Sequence, residues 1–459
     1  MEVRRKDITA PFACLLFGAV AVLFGCASER ERAAFQELRR AEAASYDPRP
    51  ELPAIDEHSG LPEYLIYASL NNPALEAAFN RWKAALEKVP QARALPDPRF
   101  SFTHFFVANI TADGPMFSDV VLSQEFPWLS KLSLRRDVAL ESARAEQRRF
   151  DAARLKLFYE VKSAYYEYYY WQRSMATVAE TLVLASNAEQ VARKKFESGR
   201  ASNADVVRAQ VELGKLDNEL RSVRDLQKPT ITRLNAVLNR PRNSPLPIPQ
   251  AIVAEKAQFE DDDQLFDLLR ENNPELAALR AEVASQNAAV DLARKNYLPD
   301  ITLSGDAMGT SQEAPNTFYT ATIMLTIPVW HEKNAASVRE ARACRVDALK
   351  QQYDSENSLA SQLQVALYNF RNAERKIDLY QATLVPKARQ SLSVSRQAFE
   401  AGQASFLELV DAQRTLLEFQ LAYERALADR EQRLAEIEML VGTQPPRPEP
   451  AQHTGGTEP

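Results

Sequence analysis

The sequence is poor in the residues that break helices, bind metals or carry out catalysis. It has only 12 glycines in 459 residues, and because a glycine costs about 1 kcal/mol inside a helix, this scarcity is typical of a chain of long helices. The four histidines are scattered and give no metal-ligand spacing. No Ser-His-Asp, Cys-His or phosphate-loop motif occurs, so the sequence does not favour an enzyme. The net charge of −6 argues against a nucleic-acid partner.

The N-terminus has the composition of a secretory signal. A basic stretch at residues 4–6 precedes an apolar stretch from Phe12 to Phe24 that is too short to span a bilayer. It ends in Leu23-Phe24-Gly25-Cys26, which resembles a bacterial lipobox, although a small residue is usual where Phe24 stands. We therefore expect residues 1–25 to be a signal peptide and Cys26 to carry a covalent lipid, with no other cofactor. The alternative is that Cys26 is a buried thiol.

The rest of the chain is organised as two copies of one unit, about two hundred residues apart. The copies cover residues 62–240 and 264–442, with a proline-containing connection at 241–263. Residues 26–61 before them read as a polar, lipid-anchored tether, and residues 443–459 after them as a disordered tail. The matching signals are Asn71-Asn72-Pro73 with Asn272-Asn273-Pro274, and Phe196-x-x-Gly199-x-x-Ser202 with Phe399-x-x-Gly402-x-x-Ser405.

Each copy contains a predicted β-hairpin, at about 97–128 and 299–330. Apolar and polar residues alternate there, most clearly over Tyr319–Ile327, which indicates strands with one apolar face. Asp113-Gly114-Pro115 predicts the first turn, and a short polar loop follows Gly309 in the second hairpin. Prolines and aromatic residues collect at the opposite end of the hairpins, as in the interface girdle of a membrane barrel. They are Pro98, Pro127, Pro299, Pro328, Trp128, Tyr297 and Trp330.

Helical patterns surround each hairpin. An opening helix is predicted from about Pro62 to Ala94, and very long helices over 131–196 and 334–399, where Pro386 should kink the second. Returning helices, at about 203–238 and 406–440, complete helical hairpins over 131–238 and 334–440, and Pro229 should bend the first of them. Apolar residues on the returning helices step by three and four, which indicates a coiled-coil seam in both copies. These residues are Val206, Ala209, Leu213, Leu216, Leu220 and Val223, then Leu409, Ala412, Leu416, Phe419, Tyr423 and Ala426.

The four amphipathic strands require partners, because an open sheet leaves unpaired backbone groups at its edges in lipid. Two chains would supply eight strands and three chains twelve. Twelve is the better choice for a pore, since an eight-stranded barrel fills its interior with side chains. Helices about 100 Å long would leave this barrel together, a length suited to crossing a periplasm. The fold expected is therefore mainly α, with a transmembrane β-barrel portion and a duplicated helix, β-hairpin and long helical hairpin.

These residues resemble the TolC-type outer-membrane efflux proteins, over nearly all of the chain from about Pro62 to Gly442. The two Phe-x-x-Gly-x-x-Ser motifs carry the resemblance most specifically, and the lipobox is similar to that of the lipidated branch of the family. The resemblance implies a homotrimer in the outer membrane, with a twelve-stranded barrel continuous with a helical tunnel in the periplasm. It further implies passive conduction of substrates that an inner-membrane pump, of the resistance-nodulation-division type, delivers through a periplasmic adaptor.

The resemblance also assigns roles to residues near the two glycine turns. The turns would lie at the periplasmic tip and contact the adaptor, and the tunnel mouth would be closed by acidic side chains, here Glu408 and Asp411. Because these acids are three residues apart, they share a helix face, and three copies would stack two rings of carboxylates that repel one another and favour cations. The alternative is two ordinary solvated acids. The expected docking residues are Phe196, Gly199, Ser202, Phe399, Gly402 and Ser405.

Two other clusters invite a structural explanation. The aromatic run from Tyr165 to Trp171 covers all sides of a helix, so packing between helices is favoured over a ligand site. Asp261-Asp262-Asp263 is expected to cap the following helix rather than to bind calcium, which needs more ligands at defined spacing. For the whole chain, the alternative function is a non-channel periplasmic coiled-coil lipoprotein with a scaffold role, which would not need alternating strands.

Overall fold

The computed structural model describes residues 28–46, 51–111, 114–200, 202–249, 261–309 and 317–443. Helices predominate in these residues, with one small sheet, as the sequence predicts. The elements of the N-terminal segment and first copy are α1 (Glu29–Ser45), α2 (Leu61–Asn71), α3 (Pro73–Arg93), β1 (Arg99–Thr111), β2 (Gly114–Phe126), α4 (Leu129–Glu197), α5 (Asn203–Asp225) and α6 (Gln227–Val237). Those of the second are α7 (Asp262–Asn272), α8 (Pro274–Lys295), β3 (Asp300–Gly309), β4 (Thr317–Thr326), α9 (His331–Leu379), a π-turn (Tyr380–Leu384), α10 (Val385–Ala401) and α11 (Phe406–Val441).

Several sequence predictions fall outside the described residues. They concern the signal at 1–25, the lipid on Cys26, residue Asp113 of the first hairpin turn, the loop after Gly309, and the tail beyond residue 443.

The four strands form one antiparallel sheet in the order β1-β2-β3-β4. The register places Phe102 opposite Val120, Val120 opposite Ala307, and Ala307 opposite Tyr319. Residues that face each other across strands lie on the same side of a sheet, so this row defines one face. That face is mainly apolar, with exceptions such as Ser118 and Gln124, whereas the other face is mainly polar, with exceptions such as Val121, Met308 and Met324. The apolar face includes Phe100, Phe102, Val120, Leu122, Ile301, Leu303, Ile323 and Leu325, and the polar face Ser101, Thr103, Asp119, Ser123, Ser304, Asp306, Thr320 and Thr322.

The long helices follow the distribution of proline. Without proline or glycine inside it, α4 runs unbroken for 69 residues. The second long helix reaches Leu379, passes through the π-turn and resumes as α10, whose second residue is Pro386. Of the two returning helices, α11 is continuous, while the first divides at Leu226, three residues before Pro229. Both interruptions therefore lie beside the prolines for which the sequence predicts them.

The prediction that residues 26–61 form only a tether is wrong for residues 29–45. They form α1, whose N-terminal residue is capped by the Ser28 hydroxyl, which accepts a hydrogen bond from Glu31 N at 3.2 Å. Ala34 and Leu38 are buried in the core of the first copy, and the ring of Tyr46 stacks on Phe79 at 4.2 Å. The sequence prediction failed because α1 has only a narrow apolar stripe. The charged residues on both sides of that stripe give the segment the polar composition of a tether.

The repeated Asn-Asn-Pro motif closes each copy and interrupts the opening helix predicted from Pro62 to Ala94. The Asn72 side-chain oxygen accepts from Ala74 N at 2.9 Å and so caps α3, while its amide donates to Val237 O at 3.0 Å. In the second copy, Asn273 caps α8 through Leu276 N and donates to Leu440 O at 2.8 Å. Each motif therefore ties the end of a returning helix to the start of its own copy.

The aromatic run and the acidic triplet have the structural roles that the sequence predicts. Tyr165, Tyr168 and Trp171 are buried in the core of the first copy. Trp171 Nε1 donates to Val223 O at 2.7 Å, which joins α4 to the returning helix. Asp261 caps α7, because its carboxylate accepts from Asp263 N at 2.9 Å.

Neither a membrane-spanning helix nor a metal-binding cluster occurs in the described residues. None of the helices there combines the length and the apolarity that a membrane crossing needs. Nor do the described His, Cys, Asp and Glu side chains form a group of three or more that could hold a metal ion.

Gly442→Ala should destabilise the protein much more than Gly199→Ala. Both glycines have positive φ, +82° and +71°, and alanine there costs about 1–2 kcal/mol. A Cβ at Gly442 would also lie 2.5 Å from Asn272 O, whereas a Cβ at Gly199 meets nothing within 4 Å. We expect Gly442→Ala to lower the free energy of unfolding by roughly 3 kcal/mol or more, because this overlap adds to the backbone cost. Denaturant unfolding in detergent measures both variants, and equal losses would contradict the expectation.

Candidate functional site at the helical tips

Both glycine turns are built in the same way. Gly199 and Gly402 adopt left-handed backbone conformations at the ends of α4 and α10. The amide that follows each glycine bonds back into the helix, Arg200 N to Lys195 O at 2.7 Å and Gln403 N to Ala398 O at 2.8 Å. This is the pattern of a Schellman cap, in which glycine is favoured because it tolerates positive φ. The repeated glycines are thus explained by helix termination.

The repeated serines begin the returning helices. Ser202 Oγ accepts from Asp205 N and Ser405 Oγ accepts from Glu408 N, both at 3.3 Å. In return, the acid of each pair accepts from its serine, with Ser202 Oγ 2.8 Å from Asp205 Oδ2 and Ser405 Oγ 2.9 Å from Glu408 Oε1. These are capping boxes. Glu408, one of the two predicted gate acids, therefore also has a local role that Asp205 performs in the first copy.

The second predicted gate acid has no counterpart of its own sign. Asp411 is exposed on the same face as Glu408, and the equivalent position in the first copy is Arg208, which lies 3.7 Å from Asp205. The first turn therefore carries a neutral pair, and the second carries two negative charges. The charge of Asp411 acts on Arg414, which lies one helical turn further along α11. The pKa of Arg414 is raised above the ordinary value, mainly by its hydrogen bond to Glu212 and to a smaller extent by the charge of Asp411.

The two turns lie side by side, which the sequence does not predict. Lys195 Nζ, near the end of α4, donates to the backbone oxygen of Phe399 and lies 4.4 Å from the centre of its ring. The Phe399 ring contacts Phe406 edge to face at 5.6 Å, in a cluster with Ala192 and Leu409. Phe399 is 4% exposed, whereas Phe196 is 44% exposed. Although the two phenylalanines share a motif, only Phe196 can contact another molecule through its side chain in this conformation.

An ion pair between a half-exposed arginine and a buried glutamate joins the two returning helices near the turns. The Glu212 side chain, in α5, is 8% exposed and accepts from Arg414, in α11, with Nε 2.7 Å from Oε1. A second Arg414 nitrogen contacts the other carboxylate oxygen, so the pair is bidentate. No spacing in the sequence indicates this contact, because its partners belong to different copies.

Residues 66–240 and 265–443 match the family model described as outer membrane efflux protein. The chain belongs to this family. Membership assigns it to the outer membrane and to efflux, and the family is one of channel proteins rather than enzymes. The two matched segments correspond to the two copies, each with its own hairpin and glycine turn.

Curated relatives of the family are similar over most of the chain. The cobalt-zinc-cadmium resistance protein CzcC of Cupriavidus metallidurans is 22% identical and matches over 82% of this chain and 88% of its own. The outer membrane protein TolC of Vibrio cholerae is 23% identical, over 83% of this chain and 90% of its own.

Solved structures share the fold. CusC has a TM-score of 0.74 at 15% identity, covering 86% of this chain and 97% of that chain. The open state of the MtrE outer membrane channel of Neisseria gonorrhoeae has a TM-score of 0.69 at 18% identity, covering 84% of this chain and 89% of that chain.

Arg414→Met should loosen α5 from α11, whereas Arg193→Met should not. Both arginines are about half exposed and pair with a buried glutamate, but Arg193 pairs with Glu189 of its own helix. Loss of Arg414 leaves Glu212 buried without its cation, which costs about 1–3 kcal/mol. Hydrogen–deuterium exchange of residues 203–225 in the detergent-purified protein should become faster in Arg414→Met alone. Equal exchange in both variants would show that the pair does not hold the two helices together.

Proposed function

We propose that three copies of this chain form one outer-membrane duct, with a twelve-stranded barrel above a helical tunnel. The sheet register carries the proposal. In the described sheet, β1 and β4 are edge strands, one face is apolar and the other is polar. Each unpaired backbone group in hydrocarbon costs several kcal/mol, so such a sheet is stable in lipid only when its edges pair with other strands. Pairing β4 of one copy with β1 of the next closes the barrel, with lipid outside and water inside.

The girdle residues support this orientation. Trp128 and Trp330 follow β2 and β4 and are 42% and 74% exposed. Tyr297 precedes β3, and its ring stacks on His331 at 6.2 Å. Trp and Tyr at strand ends suit the membrane interface, where one side of the ring contacts lipid and the other contacts water. The long helices that continue from this end then lie in the periplasm.

The duct conducts passively in a tripartite system. An inner-membrane pump of the resistance-nodulation-division type supplies the energy, and a periplasmic adaptor joins the pump to the helical tips. One relative, CzcC, is named for cobalt, zinc and cadmium resistance. Other relatives are named for pyoverdine export, so the duct family serves different cargoes. We assign no particular cargo to this chain.

The adaptor contacts the glycine turns through their exposed groups. Phe196 offers an exposed apolar side chain there, and Gly199, Ser202, Gly402 and Ser405 shape the two turns. Phe399 supports the second turn from inside, through Phe406 and Lys195, rather than by contact with the adaptor.

The gate is formed by Asp411 and Glu408 of the three copies. Both are exposed, and Asp411 occupies the position that Arg208 holds in the first copy, so the second turn has two acids where the first has an acid and a base. Like charges brought together around a narrow mouth repel, so the closed ring is under electrostatic strain and admits cations preferentially. Glu408 contributes less to this field than Asp411, because its carboxylate is also bound by Ser405.

Cys26 carries the lipid anchor. The direction of α1 supports this, because Glu31 lies 3.4 Å from Arg93 and Glu42 lies 2.6 Å from Lys83. The start of α1 is therefore at the end of α3 that leads into β1, near the membrane. Two residue steps separate Ser28 from Cys26, a reach of at most about 7 Å.

Membrane retention of Cys26→Ser distinguishes the duct from the coiled-coil lipoprotein. The barrel holds a duct in the membrane without a lipid, so Cys26→Ser should lack acyl mass yet still require detergent for extraction and run as a trimer. A scaffold held only by its lipid would instead be released as a soluble protein. Fractionation of envelopes, mass spectrometry and light scattering measure these outcomes.

Removal of the gate charges should widen the conducting state. In Glu408→Gln with Asp411→Asn, glutamine can still serve the capping box, so the helix start is kept while both charges are lost. Single-channel conductance in planar bilayers should rise, and cation preference should fall. Asp205→Asn in the first copy is the matched control and should change neither property. The gate assignment fails if the double variant behaves like the wild type.

A further inference from the structure

A cavity opens between α4, α10 and α11, close to the second glycine turn. Its volume is about 480 Å³, and a neighbouring space of about 230 Å³ lies against the same three helices. Cavities of roughly 300–1,000 Å³ are the size that binds small organic molecules in proteins. All of the lining residues belong to one chain, so the cavity is formed without a second copy.

Apolar side chains from all three helices line the larger space. They offer a surface against which an aromatic ring or a short hydrocarbon chain can be removed from water. These residues are Leu184 and Val191 of α4, Leu392 of α10, and Leu409 and Leu416 of α11.

Gln413 places an unpartnered polar group in this cavity. The residue is only 7% exposed, and it lines both spaces. Its side-chain amide makes no hydrogen bond to any of the residues that the structure describes. A buried amide without a partner is unfavourable, so nearly all such groups in proteins are hydrogen-bonded to something. Gln413 therefore marks a position where a polar atom of another molecule is needed.

The burial of Gln413 is not imposed by the repeated fold. The first copy has the same Ala-Gln step at the matching place, Ala209-Gln210, as the second has at Ala412-Gln413. Gln210 is nevertheless exposed, whereas Gln413 is buried. The difference arises from the helices that surround α11, and it distinguishes a site in the second copy that the first copy lacks.

The charges around the larger space favour an anion. Arg389 lines both spaces and has no ion pair or hydrogen bond among the described residues. Arg396 also lines the larger space, but it pairs with Glu400 at 3.0 Å. Glu180 lines only the smaller space. Arg389 is thus the unpaired cation of the larger space, and a guanidinium suits a carboxylate or sulfonate, to which it can donate two parallel hydrogen bonds.

We propose that this cavity is a binding site for a small organic anion with an apolar body. The apolar body lies against the leucines, Arg389 donates to the anionic group, and the amide of Gln413 donates to an oxygen of the same group. The inference goes beyond the proposed duct, since binding requires neither three copies nor conduction.

Naphthalene-2-sulfonate is a suitable probe, because it joins a compact apolar ring system to a permanent anion. Calorimetric titration of the full-length protein in nanodiscs of zwitterionic lipid, with empty discs subtracted, should show saturable binding of one molecule per chain. The neutral analogue naphthalene-2-sulfonamide should bind at least about tenfold more weakly, because it lacks the charge that Arg389 recognises.

Gln413→Leu and Arg389→Gln should each weaken sulfonate binding about tenfold or more, because each removes a hydrogen bond to a charged group. Gln210→Leu in the first copy and Arg375→Gln, an exposed arginine of α9 outside the cavity, are the matched controls and should bind like the wild type. Arg389 is itself exposed, so its replacement leaves the core intact and tests the site even if Gln413→Leu does not fold.

Three results would overturn the site. They are no saturable binding by the wild type, equal affinity for the sulfonate and the sulfonamide, and wild-type affinity in both cavity variants. Equal losses in the controls would also overturn it, because binding would then lie elsewhere. A chain that binds the sulfonate in this way but neither assembles nor conducts would refute the proposed function alone.

Discussion

The contact between α4 and α11 is the constraint on which the rest of the structure depends, because it joins the two copies of the unit into one body. Acids on α11 recur every seven residues and face a row of partners on α4, so one face of each helix is held in register. Glu424 accepts from Tyr169 at 3.0 Å and from Arg173 at 2.7 Å. Burial, reinforced by the negative charge of Glu431, raises the pKa of Tyr166, which keeps that phenol neutral. Lys162 with Glu438 is the most buried ion pair between these two helices, and leaving one of its charges without a partner costs about 3–5 kcal/mol, so a slipped register is disfavoured.

The alignment of the two copies continues from the helices into the sheet through contacts at the start of α4. At the start of α4, Trp128 N donates to Asp300 Oδ1 at 2.9 Å, and Lys131 Nζ lies 2.8 Å from the same oxygen. Lys131 also donates to Leu298 O at 2.8 Å. These contacts fix the end of β2 beside the start of β3, and the two hairpins become neighbours in one sheet. The apolar face is continuous for this reason, since a shift of one residue at this junction would exchange the faces of one hairpin relative to the other.

Features that depend on local spacing could be predicted from the sequence, whereas features that depend on contacts between the copies could not. The alternation of apolar and polar residues predicts the strands, and apolar residues spaced by three and four predict the helical seams. Pro386 and Pro229 predict the interruptions of the second long helix and the first returning helix. The identical Phe-x-x-Gly-x-x-Ser motifs gave equal roles to Phe196 and Phe399, yet one ring is exposed and the other is buried by Lys195 and Phe406. Glu212 and Arg414 were missed because each looks like a solvated charge on its own helix. One contact between the copies does have a signal in the sequence. Glutamates recur every seven residues on α11, at 424, 431 and 438, and this spacing would indicate a helix contact if acids were expected on a buried seam.

The differences between the copies matter more for function than their likeness. In the first copy the long helix is continuous and the charges after its turn cancel, through Asp205 and Arg208. In the second, the long helix is interrupted and the charges after its turn add, through Glu408 and Asp411. Repulsion among these charges acts at the turn that follows α10, a helix that buries only Ala388 and Phe399. Duplication thus supplies two halves of one fold, one with a continuous long helix and a neutral turn and the other with an interrupted long helix and an acidic turn.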